Sequence, residues 1–205
     1  MRKLLPPLLA AIVLGFASTA HAAVTNHTTT LSGANESPPN TSPGTGNVTL
    51  LVNDTANSMT LHVDFSGLAY PSTASHIHCC TAAPGTAGVA TMVPSFPGFP
   101  LNVTSGTYDM TFDLLSASTY NPAFITAAGG TVALAEAELI NGIRAGEAYL
   151  NIHSTVYPAG EIRGFLVAAP IPEPGNLAMW LAGVAALAGA SRWRARSQYQ
   201  AAGHA

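Results

Sequence analysis

Three short stretches alternate a polar side chain with an isoleucine: His76-Ile77-His78, Asn151-Ile152-His153 and Glu161-Ile162-Arg163-Gly164. Successive side chains on a β-strand point to opposite faces. Each stretch therefore gathers its polar members on one face, and those faces converge if the strands are neighbours. His76, His78 and His153 form a candidate ligand set for Cu or Zn, because imidazole suits both metals and Zn–N bonds are roughly 2.0–2.1 Å. If the first strand runs on, Cys80 joins the histidine face. A second reading of the same residues is structural: hydrogen-bonded core histidines beside a buried or half-buried Glu161–Arg163 pair. Arg163 is expected to be buried, held by Glu161 or Glu36 and by backbone carbonyls.

Cys79 and Cys80 are the only cysteines. Adjacent Cα atoms stand ~3.8 Å apart across a trans peptide, and disulfides usually span about 4.4–6.8 Å. A bond between neighbours thus closes a strained ring. The favoured expectation is a vicinal disulfide; free or metal-ligating thiols, or links to another chain, are the alternatives.

The elements that would carry these residues are mostly short strands. Met59, Leu61, Val63 and Phe65 alternate with Thr60, His62 and Asp64, the pattern of a strand with one buried face. Tyr108, Met110, Phe112 and Leu114 repeat it against Thr107, Asp109, Thr111 and Asp113. Further strands are predicted at 48–52, 74–78, 149–153 and 162–167, with Pro/Gly-rich turns between them. Residues 131–144 break the rule: Val132, Ala135, Leu139 and Ile143 are spaced for one helical face, and Gly146 follows as a stop. Asn121-Pro122 can open a shorter helix before it. The expected fold is all-β, a single antiparallel sandwich or barrel with Greek-key-like connections and one inserted helix.

Both ends of the chain look like addresses. Arg2 and Lys3, the apolar run 4–16 and Ala20-His21-Ala22 have the layout of a secretory signal peptide, with cleavage expected after Ala22. At the other end, Pro172-Glu173-Pro174 precedes an apolar run from Leu177 to Ala190 and then Arg192, Arg194 and Arg196. That run would extend only about 21 Å as a helix, short against a ~30 Å hydrocarbon core, so it suits a temporary anchor. The order of motif, apolar run and Arg cluster resembles the PEP-CTERM sorting signal of Gram-negative bacteria. The resemblance implies export by the Sec machinery, transient inner-membrane anchoring, and processing by an exosortase-like enzyme near 171–196, ahead of a polar tail at 197–205. The expected destination is the cell surface or the extracellular matrix.

Between these signals lies one domain-sized body, 23–170. Every acidic residue except Glu173 falls within it, against two cations, Arg144 and Arg163, so it is far more acidic than the chain's formal charge of −3 conveys. Such a body lacks the basic footprint of a nucleic-acid binder. Nucleophile-elbow, Walker A and dinucleotide-binding patterns do not occur in their required settings, and the expectation is a protein that is not an enzyme.

Leu31-Ser32-Gly33-Ala34-Asn35-Glu36-Ser37-Pro38-Pro39, His76-Ile77-His78, Tyr149-Leu150-Asn151-Ile152-His153 and Gly160-Glu161-Ile162-Arg163-Gly164 stand in the order seen in CHRD domains. The chain resembles that family over about residues 29–167. It departs from the common form at Cys79-Cys80, where Gly is usual, and in its helical insertion. The resemblance implies an all-β extracellular module in which Glu36, Asn151, Glu161 and Arg163 belong to the family's motifs. The leading functional expectation is a non-catalytic surface or matrix protein acting on an unknown partner in adhesion, biofilm or envelope interactions. The alternative is a periplasmic or extracellular Cu- or Zn-binding protein using the three histidines.

Overall fold

Alternating burial builds the strands. In β2 (Thr45–Asn53) Val48, Leu50 and Val52 turn inward, and in β3 (Ser58–Ser66) Met59, Leu61, Val63 and Phe65 do the same. The link between them is tight: Asn53 Oδ1 accepts from Thr55 N and Ala56 N, and Asn57 adopts a φ of 44°. The other strands are β1 (Val24–Ser32), β4 (Ser72–His78), β5 (Gly106–Asp113), β6 (Tyr149–Ser154), β7 (Ile162–Phe165) and β8 (Val167–Ala168). This is a computed structural model, and it describes residues 24–169 together with Gly183. The expected signal peptide, the Pro172-Glu173-Pro174 motif, most of the apolar run and the Arg192, Arg194 and Arg196 cluster lie outside the described residues. Among the described residues no helix is long and apolar enough to cross a membrane.

All pairings are antiparallel, in the order β4-β6-β7-β1-β2-β3-β5, with β8 resuming the β7 edge of β1. The sheet curls into a half-barrel. Its concave side holds the core, where Leu31, Leu50, Leu61, Ile77, Leu150, Ile152 and Ile162 meet Ala135, Leu139 and Ile143 of α2 (Val132–Ala145). Thr131 caps α2 by accepting from Leu134 N, and Gly146 ends it at a φ of 71°. The shorter α1 (Pro122–Ala127) opens with Pro at its first turn and Asn121 as its cap. At one edge, segment 88–96 covers β4: Ala90 N donates to Ile77 O at 2.9 Å and Phe96 N to Ser75 O at 3.1 Å.

Three strands depart from the sequence expectations. β1 is central in the sheet, yet its inward positions Thr25, His27, Thr29 and Leu31 hide its period. Met110, expected in the core, is exposed because β5 is an edge strand with nothing beyond it in the sheet order. The strand expected over 162–167 breaks at Leu166, whose N–H turns away to donate to Ala148 O at 2.9 Å.

Candidate metal centre

Strand register sets the rows of the site. β4 and β6 pair His76 with Asn151 and His78 with Tyr149; β6 and β7 pair Asn151 with Arg163 and Tyr149 with Phe165. Ile77, Leu150, Ile152 and Ile162 occupy the core face, so the polar rows lie on the convex face. They are buried all the same, His76, His78 and His153 being 6–8% exposed, because loops from 81–96 and 155–160 supply their hydrogen-bond partners.

Each imidazole uses its outer nitrogen to reach a backbone carbonyl. His76 Nε2 donates to Pro94 O at 2.7 Å, His78 Nδ1 to Ala87 O at 2.9 Å and His153 Nδ1 to Pro158 O at 3.0 Å. A carbonyl oxygen only accepts, so these three nitrogens carry the hydrogens. In the neutral rings, His76 Nδ1, His78 Nε2 and His153 Nε2 are then bare lone pairs. His76 Nδ1 and His153 Nε2 stand 3.3 Å apart, and His78 Nε2 is buried without a hydrogen-bond partner. One ring nitrogen from each histidine lies within 4.8 Å of the other two. Facing lone pairs repel unless a cation or a hydrogen-bond donor such as water sits between them. Burial opposes a proton there: it pushes His78 down to about 4, and His153 to about 4 with help from its histidine neighbours, and lowers His76 as well. Three bare ring nitrogens grouped in this way are a donor set that could hold a metal ion. An outer N–H held by a carbonyl is the usual way a protein orients a metal-ligating histidine. Tyr149 stiffens the arrangement by stacking on His78, with ring centroids 4.8 Å apart, and by donating to Ala87 O.

Arg163 lies beside this cluster, almost wholly buried. Its Nε donates to Asn35 O at 2.6 Å, and its two terminal nitrogens donate to Gly85 O at 3.1 Å and Pro84 O at 2.8 Å. The guanidinium also lies over Tyr149 and Phe165. Glu36 is its carboxylate neighbour, 3.8 Å from Nε, and burial pushes the Glu36 carboxyl up to about 7 against the pull of Arg163. Glu161 does not pair with Arg163. It precedes β7, and its Oε1 accepts from Ser42 Oγ and Ala69 N, each at 2.6 Å, so strand alternation does not apply to it.

The CHRD domain family matches residues 27–166, a span that contains the histidine cluster, Glu36 and Arg163. The chain belongs to the CHRD domain family. No curated protein and no solved structure matches it.

In this CHRD domain Cys80 is not brought to the histidines. β4 ends at His78, and Cys79 and Cys80 are bonded to each other, packed where a Cβ on Gly142 of α2 would meet both sulfurs. The CHRD sheet thus gathers His76, His78, His153 and Asn151 on one face, with Arg163 and Glu36 adjoining, and leaves Cys80 and Glu161 elsewhere. Sequence reasoning missed the carbonyls of Ala87, Pro94 and Pro158, which have no side-chain signature. It also missed Tyr149 as part of the site, although its alternation with Asn151 and His153 was readable. Gly160, at a φ of 138°, lies against the Asn151 amide where a Cβ would not fit.

Proposed function

We propose that this CHRD domain is an exported, non-catalytic module that binds one Cu or Zn ion through His76 Nδ1, His78 Nε2 and His153 Nε2. The observation that carries the reading is the set of three carbonyl-anchored outer N–H groups, which turns three lone pairs toward one point. Donors on bonds of ~2.0 Å at trigonal or tetrahedral angles stand about 3.3–3.5 Å apart; the His76–His153 separation of 3.3 Å fits, while the set as a whole spreads to 4.8 Å, so the third imidazole closes in on binding. Arg163 ties down the loop that supplies Ala87 and Pro94, so its role is to hold the site's frame.

Export is supported by the signal-peptide pattern at 1–22, and surface sorting by the Pro172-Glu173-Pro174 tail with its apolar run and Arg cluster. In this reading the Sec machinery and an exosortase-like enzyme are processing partners, and a Gram-negative cell surface or matrix is the destination. A second reading, surface or matrix adhesion, draws on the exposed remainder of the convex face. There β1, β2, β3 and β5 align Thr30, Asn47, Asp64 and Thr107 in one cross-strand row.

Elemental analysis and calorimetry on the purified protein decide between them. One Cu or Zn per chain, lost in His78→Ala while the fold is kept, is the expected result. A protein that binds neither metal, and whose melting neither metal shifts, overturns the metal reading and leaves the adhesive one.

A further inference from the structure

Resting on the metal reading above, we infer that the three-histidine site selects univalent Cu(I) over divalent Cu(II) and Zn(II). Charge makes the choice. Among the described residues, the group able to hold an ion there consists of His76, His78 and His153 alone, three neutral donors. Both sulfurs are committed to the Cys79–Cys80 bond and pack against α2. The carboxylate of Glu36 faces Arg163 at 3.8 Å and is matched by that guanidinium. Arg163 itself lies 4.8 Å from the Tyr149 ring, on which His78 stacks. An ion in this pocket therefore keeps its full charge in a buried setting, with the Glu36–Arg163 pair alongside offering no spare anion.

The penalty for taking an ion out of water rises as the square of its charge, so a divalent ion pays about four times the penalty of a univalent ion of equal radius; even one unit charge costs several kcal/mol in a protein interior. Zn(II) on three histidines completes itself with a water, and its other sites add thiolate or carboxylate donors; this pocket brings no anionic side chain, and its loop cover opposes a solvent-derived fourth ligand. Cu(I) is satisfied by three imidazoles in a plane. Spacing alone does not separate the ions, because 3.3 Å between His76 Nδ1 and His153 Nε2 suits either; the absence of an anion from the donor group does.

The test is a set of competition titrations on the whole protein. Cu(I) is titrated anaerobically against a chromophoric Cu(I) chelator, and Cu(II) and Zn(II) against chelators of their own. The expected result is one Cu(I) per chain, bound at least 100-fold more tightly than either divalent ion. Asn151→Asp, which puts a carboxylate opposite His76 in the strand register, is expected to narrow that ratio at least tenfold. Zn(II) or Cu(II) binding as tightly as Cu(I) in the parent overturns this inference and leaves the metal site standing. Failure of all three ions to bind overturns the site as well.

Discussion

The buried polar residues of this domain are held by backbone carbonyls far more than by one another. Arg163 spends its hydrogens on Asn35, Gly85 and Pro84. Arg163→Met would strand those acceptors and leave Glu36 without its counter-charge, so it is expected to cost ~3–5 kcal/mol in chemical denaturation; a variant as stable as the parent would contradict that role. The histidines give a pH signature. Their folded-state values lie below the ordinary 6.5, two of them at about 4, so the unfolded chain binds more protons over that interval. Their stability contribution is complete above pH 6.5 and is lost as pH falls toward 4. Glu36, raised to about 7, and His62, raised by its hydrogen bonds to Asp109 and Asp64, work in the opposite sense, while buried His27, lowered by desolvation, adds to the three. The melting temperature of the metal-free protein is expected to drop between pH 6.5 and 4, less steeply in His153→Gln, and a flat profile would contradict the assignment. Alternation around Ile77 and Ile152 made the histidine face legible in the sequence. Cys80 and Glu161 were misplaced because each lies just beyond the strand whose alternation was extended to it.

At the scale of elements, legibility followed the burial pattern. β3 was readable because its inward positions are all apolar, and α2 because its buried residues recur at helical spacing between a Thr cap and a Gly stop. β1 was not, since three of its four inward side chains are polar. Phe65→Ala removes a buried ring stacked 5.4 Å from Phe99 and is expected to cost ~3–5 kcal/mol. Asp64→Ala, on the exposed face of the same strand, is expected to change stability by about 0.5 kcal/mol or less. The reverse order in denaturant melts would mean that the register is wrong. Gly142→Ala supplies a sharper test of the α2 packing. Helix propensity alone favours Ala by about 1 kcal/mol, but the new Cβ meets the paired sulfurs of Cys79 and Cys80. Overpacking of ~1–3 kcal/mol should make the variant less stable, and a stabilised variant would show that the sulfurs lie elsewhere.

The domain described by residues 24–169 is a curled sheet with two different uses for its faces. The concave face buries an apolar core, while the convex face carries a loop-covered histidine site over β4, β6 and β7 and an open polar surface over the remaining strands. If the terminal segments act as proposed, intact mass of the native protein should show a chain starting at Ala23 and ending near Ile171. Retention of Trp180 and the Arg cluster would instead mark a simple tail anchor. The central claim is that three carbonyl-oriented imidazoles converge on one ion. Its most direct test is a crystal structure of the Cu- or Zn-loaded protein with anomalous data at the metal edge. The account expects a single peak about 2.0–2.2 Å from His76 Nδ1, His78 Nε2 and His153 Nε2; a peak elsewhere, such as beside the exposed His62, Asp64 and Asp109, or no peak at all, would contradict it.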